Sequence, residues 1–168
     1  HDAILHLPDI QSPFDIAALI WKKEDFLIAL IDEPEAVQEL VGMTRAVLTS
    51  FLDEWFRRYG HSYIAHYPDY YMEGGVTLSE DEVGAISPAQ FRTFCLDSLQ
   101  FLSDRYGGMG LHCCANAHHQ WEGFASIRGL RMLNLIQPLP LLEEAYPFFE
   151  KTTAQMHFPF GEQPHTSG

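Results

Sequence analysis

Residues 86–116 read ISPAQFRTFCLDSLQFLSDRYGGMGLHCCAN, and the change of period midway through this stretch decides the fold. Ser87 before Pro88 suits a helix start, because proline's missing N–H costs nothing in the first turn and the serine hydroxyl can accept from an open amide. Phe91, Phe94, Cys95, Leu99, Leu102 and Tyr106 then recur every three or four residues, the stripe of a one-faced helix, and Gly107-Gly108 end it. From Gly110 to Cys114 the helical spacing stops and a short run suited to a buried strand takes over. A helix turned into a strand through two glycines is half of a strand–helix–strand unit.

The same grammar extends outward in both directions. Ser12-Pro13 and Glu33-Pro34 are two more helix starts, and Val37, Leu40, Val41, Thr44, Leu48, Phe51, Trp55 and Tyr59 line one face until Gly60 stops the helix. Further strands are predicted over Ser62–His66 and Arg131–Leu135, and a last helix from about Pro140 to Met156. Cys95 belongs to a helical stripe, which assigns it to core packing. Alternating elements of this kind predict an α/β fold in which the three strands lie parallel and adjacent in chain order. No Gly-x-Gly-x-x-Gly follows a strand, which favours a TIM-type (β/α)8 barrel over a dinucleotide-binding sheet. A complete barrel has eight strands and takes about 250 residues, and with three or four strands read here about half of one is expected: a partial barrel over residues 1–158 and a flexible tail over 159–168.

Composition narrows the partners. A formal charge of −13 repels phosphate backbones and speaks against nucleic acid. The longest apolar run, Phe26–Ile31, is far too short to span a membrane, and the opening HDAILHLPDI lacks the basic-then-apolar order of a targeting signal. Three cysteines, two of them adjacent, do not make a disulfide framework, so a reduced, cytoplasmic setting is expected. The open edges of half a barrel predict pairing with another chain or with the missing half.

In parallel α/β folds ligands bind at the C-terminal ends of the strands. His66, the run from His112 to Asn116, and Asn134 with Gln137 all fall there. Strand alternation puts His112 and Cys114 on one face, their Cα atoms roughly 7 Å apart, and turns Cys113 to the other with Leu111. An imidazole and a thiol can share a zinc ion, and with a third protein ligand a fourth position stays open for substrate. On the residues alone, metal ligation and plain barrel lining are both open. Third-ligand candidates at this edge are His66, Asp69, Glu73, Glu80, Glu122 and the pair His118 and His119. The long connection from Tyr67 to Glu82 adds Glu80 and Asp69 as candidate catalytic acids, and Tyr70 and Tyr71, with His66 and Asn134, as candidate substrate-binding residues for a small molecule.

With these residues in view, the chain resembles the uroporphyrinogen decarboxylase superfamily, which includes the corrinoid-dependent and cobalamin-independent methyltransferases. DIQSPFDIAALIW (9–21) is similar to the family's loop after a mid-barrel strand, DEPEAVQELVGMTRAVLTSFLDEW (32–55) to its next helix, and ISPAQFRTFCLDSLQFL (86–102) with GLHCCAN (110–116) to the helix and strand carrying His-x-Cys-Gly. The resemblance implies a TIM barrel of which this sequence holds the middle to later part. It implies that His112 and Cys114 are zinc ligands of a methyltransferase that activates a thiol, with a corrinoid on a partner protein as methyl source. Ala115 stands where the family has glycine, and no cysteine follows Cys114 to serve as the family's distant ligand. The alternative branch implies a decarboxylase-like lyase acting on a tetrapyrrole or related carboxylate. Leu19 occupies the position of that branch's active-site tyrosine, and the arginines fall on helices or ahead of a strand rather than at strand ends. A non-catalytic segment that binds a ligand or partner is the third reading.

Overall fold

The computed structural model describes residues 7–60, 64–66, 70–72, 74–151 and 153–160, with only the backbone of 64–66, 70 and 71. In chain order the elements are α1 (Pro13–Ile20), α2 (Lys23–Asp32), α3 (Pro34–Tyr59), β1 (Ile64–His66), β2 (Tyr70–Met72), β3 (Val76–Ser79), α4 (Pro88–Phe94), α5 (Leu96–Tyr106), β4 (Met109–Cys113), α6 (Trp121–Ala125), β5 (Leu130–Pro138), α7 (Leu139–Phe149), β6 (Ala154–Gln155) and β7 (Phe158–Phe160). All three proline starts are helix N-termini. Ser12 Oγ accepts from the Asp15 amide, and Ser87 forms a reciprocal capping box with Gln90. The helix predicted from Pro88 to Tyr106 is interrupted by a turn at Cys95, which separates α4 from α5.

β3, β4 and β5 run parallel and adjacent, in the register Ser79↔His112 and His112↔Asn134. β6 and β7 both add in parallel to the far edge of β5. On the near edge, Ser79 N–H donates to Ile10 O and Ser12 N–H to Ser79 O, both at 2.8 Å, a parallel bridge that brings Gln11 alongside β3. Spatial order therefore follows chain order, as expected of successive βα units.

One predicted strand is displaced. Of the span 62–66, residues 64–66 form β1, which pairs antiparallel with β2 rather than entering the parallel sheet. Its place beside β4 belongs to β3, inside what the sequence suggested was a long loop. Two short apolar runs, 62–66 and 76–79, look alike by period, and the difference lies in Gly74 and Gly75. Both have positive φ, and they turn the chain so that Gly75 N–H reaches Tyr106 O at 2.8 Å, laying β3 along β4. The last helix is also shorter than predicted: it contains Pro147, ends at Phe149, and residues up to 160 return to the sheet. Pro159 and Phe160, assigned to a flexible tail, lie in β7, and 161–168 fall outside the described residues.

The sheet has two unlike faces. Val76, Leu78, Met109, Leu111, Cys113, Leu133 and Leu135 enter one apolar core with Phe91, Leu99, Leu102, Phe124, Leu142 and Phe149 from the helices. The alternate residues Thr77, Ser79, Gly110, His112, Met132 and Asn134 line the other face in cross-strand rows. That face is crowded: a Cβ on Gly110 would come within 2.7 Å of Thr77 Oγ1 and 2.9 Å of Met132 Cε. None of the described helices is long and apolar enough to cross a membrane.

This division predicts opposite outcomes for neighbours in sequence. Leu111→Ala should cost about 2–5 kcal/mol in urea unfolding, the range for emptying a buried leucine site, whereas Cys114→Ala should stay within about 0.5 kcal/mol of the parent, as exposed substitutions do. Equal losses would mean that the two faces are wrongly assigned.

Candidate metal centre

β4 ends at Cys113, and its last residues carry the expected alternation past the strand end. Cys113 is buried in the helix-side core, its thiol 3.7 Å from Ala115 O, and burial pushes that thiol well above the usual range. His112 is buried on the opposite face, and Cys114 is exposed at the strand's C-terminal tip. His112, Cys114 and Asp81 each offer one ligand atom, and these three atoms lie within 4.8 Å of one another.

His112 is oriented by a chain of bonds across the sheet. Asn134 Nδ2 donates to the Met156 carbonyl, which can only accept, so Asn134 presents Oδ1 to His112 Nδ1 at 2.5 Å. The imidazole must then carry its proton on Nδ1, which makes Nε2 the lone-pair nitrogen. A histidine whose outer nitrogen donates to a fixed acceptor is the usual arrangement for a metal ligand. The Met156 carbonyl is available because the edge is interrupted between β6 and β7. At that break the His157 ring replaces a ladder carbonyl, its Nδ1 accepting from Leu135 N–H at 3.0 Å and its Nε2 donating to Gln155 Oε1 at 2.9 Å. Burial holds His157 down at about 4, so it remains a neutral acceptor at ordinary pH.

Asp81 follows β3 and is half-buried. Its Oδ1 accepts from Cys114 N–H at 2.6 Å, joining the end of β3 to the end of β4. Burial first, and then the hydrogen bond and charge of Asp81, push the Cys114 thiol up to about 11. Gln137 Nε2 pins the following loop through Ala115 O at 2.6 Å and Cys114 O at 3.3 Å. Nitrogen, oxygen and sulfur donors together suit zinc, whose sites mix these ligands and, when catalytic, use three from the protein.

The other sequence candidates lie elsewhere. Glu80 is fully buried on the helix side, toward Ser12, Asp15 and Cys95, and so faces away from His112. Glu122 is exposed on α6. His118 is exposed too, packs its ring on Trp121 at 4.3 Å and stands 3.9 Å from Glu144, while His119 Nε2 donates to Ile86 O at 2.9 Å. None of Glu80, Glu122, His118 or His119 joins the cluster. Asn134, read as substrate-binding, is fully buried with both ends of its amide engaged. Asp69 and Glu73 lie outside the described residues, as do the side chains of His66, Tyr70 and Tyr71. Asp81 was passed over because it sits within a run of three acids that reads as hydrated surface. Its distinguishing signal is position, two residues past Ser79, which pairs with His112. Comparison with family models, with curated proteins and with solved structures gave no match.

Behind the cluster is an acid pair that costs stability when ionised. Burial, and then the charge of Asp15, push Glu80 well above the carboxylate range, with hydrogen bonding from Ser12 and Cys95 pulling the other way. Burial likewise pushes Asp15 up to about 7 from 3.8, against two backbone donors that pull it down. A raised folded pKa means the native state takes up protons that the unfolded chain has released, so this contribution is complete below about 4 and is lost as pH rises toward 7 and beyond. Unfolding free energy should therefore fall between pH 5 and pH 8. Glu80→Gln should flatten that decline and be more stable than the parent at pH 8; parallel pH profiles would contradict it.

Proposed function

We propose that the parallel sheet forms an arc of a (β/α)8 barrel of the uroporphyrinogen decarboxylase superfamily, and that Asp81, His112 and Cys114 hold a zinc ion for methyl transfer to a thiol. The observation that carries this reading is the meeting of three chemically suitable donors at the C-terminal ends of adjacent parallel strands, the edge where such folds bind ligands. His112 and Cys114 are the residues that the family resemblance assigns to zinc, and Asp81 is the third donor beside them. A bound zinc ion would supply positive charge beside a substrate thiol and so bring its pKa toward neutrality.

The chain's own residues do the rest. Asn134 holds the His112 ring with Nε2 as the donor nitrogen. Cys114, exposed at the tip, keeps the site open to a small-molecule thiol and to a corrinoid-bearing partner protein. The Cys114 proton must leave on ligation, and water at the exposed edge can take it. The methyltransferase branch is favoured over the lyase by five of the arginines: Arg57 and Arg58 pair with Glu54, Arg105 with Asp53 and Arg128, in the turn before β5, with Asp104, while Arg45 stacks on Phe101. No cationic clamp for a polycarboxylate is formed by these five.

The protein should take up one zinc ion per chain and, so loaded, transfer the methyl group of methylcobalamin to a small thiol. Cys114→Ala should abolish uptake, Asp81→Ala should weaken it by on the order of 10–100-fold, and Cys113→Ala should leave it unchanged. A parent chain that takes up no zinc, or Cys114→Ala binding like the parent, would leave the cluster as lining and the methyltransferase reading without support.

A further inference from the structure

Asp81 is the least anchored member of the cluster by sequence, since it follows a four-residue strand and begins an irregular connection. A carboxylate in such a position has several rotamers and a mobile backbone, and a metal site loses affinity quickly when one ligand must be ordered on binding. The fold removes that freedom from behind. Asp15, in the first turn of α1, is only 1% exposed, and its two carboxylate oxygens accept from two successive backbone amides: Oδ2 from Asp81 N–H at 2.7 Å and Oδ1 from Glu82 N–H at 3.0 Å. α1 is itself held at this height by Ser12, whose hydroxyl accepts from the Asp15 amide and whose own N–H donates to Ser79 O. Lys23 of α2 closes the other side of the turn, its Nζ 2.7 Å from Glu82 Oε2. The span from Ser79 to Glu82 is thus held at its backbone by α1 and at its acidic end by α2.

Burying a carboxylate is expensive, and a helix–loop contact could be filled by an apolar side chain at less cost. What only a short acceptor with two oxygens achieves here is to clamp the peptides on both sides of the Asp81 Cα, and so to fix where the Asp81 side chain points. We infer that Asp15 is a positioning residue for the metal centre: it acts through the backbone of Asp81, pre-orienting that ligand toward His112 and Cys114. This inference rests on the zinc reading above and names the element, α1, that the site needs in addition to its strands.

The test is a cobalt(II) titration of the full chain, with cobalt as a coloured stand-in for zinc, on the parent, Asp15→Asn, Asp15→Ala, Asp81→Ala and the double variant Asp15→Asn/Asp81→Ala. Asp15→Asn is nearly isosteric and keeps only one acceptor, and Asp15→Ala keeps none. Both should weaken cobalt binding by about 10–100-fold, keep the near-ultraviolet thiolate-to-cobalt band that Cys114 supplies, and shift the visible bands toward those of Asp81→Ala. In the Asp81→Ala background, Asp15→Asn should cost nothing further, because the group through which it acts is gone. If the parent and Asp81→Ala behave as the zinc reading requires but Asp15→Asn and Asp15→Ala bind like the parent, the positioning role fails while the site stands. Additive losses in the double variant would likewise overturn it, pointing to general destabilisation. A parent that binds no cobalt overturns both readings together.

Discussion

The hydrogen bond from His112 to Asn134 depends on almost everything else in the sheet, and the site depends on it. It requires β4 and β5 to be parallel neighbours in a register that sets the two residues side by side. It requires the edge beyond β5 to break at Met156, so that a carbonyl is spare to fix the amide. It also requires the opposite faces of both strands to be apolar enough to hold the register, because a slip of one residue would bury His112 among the helices and bring Cys113 to the site. Leu111 and Cys113 on one strand and Leu133 and Leu135 on the next do this by entering the helix-side core together.

The candidate centre draws on three successive βα units: Asp81 just after β3, His112 and Cys114 at the end of β4, and Asn134 from the middle of β5, opposite His112. The cost of this arrangement appears immediately behind it, where Glu80 and Asp15 are buried acids with raised pKa values. Asp15 has a structural use, since it binds two amides. Glu80, fully buried and raised by that burial, marks the place where the fold gives up stability.

Much of this was legible in the sequence where local chemistry is strong. The three proline starts, the Gly60 and Gly107 stops and the turning of Cys113 away from His112 follow from capping rules and strand period alone. The displaced strand was not legible, because SYIAH at 62–66 and VTLS at 76–79 have equal claims by period, and only the positive-φ pair Gly74-Gly75 separates them. The early end of α7 was signalled by Pro147 but obscured by the apolar residues around it. Asp81 was hidden by its neighbours: among Glu80, Asp81 and Glu82 composition offers no choice, and tertiary structure sends one acid into the core, one to the site and one to Lys23. The paired histidines at 118 and 119, conspicuous in sequence, engage Trp121, Glu144 and the Ile86 carbonyl instead.

X-ray absorption at the zinc edge of the loaded protein addresses the central claim most directly, because it counts ligand types without reference to folding or turnover. Asp81, His112 and Cys114 on one ion predict a single sulfur scatterer at about 2.3 Å with nitrogen and oxygen scatterers at about 2.0–2.2 Å, one of them an imidazole. A first shell without sulfur, or with two or more sulfurs, would contradict the account.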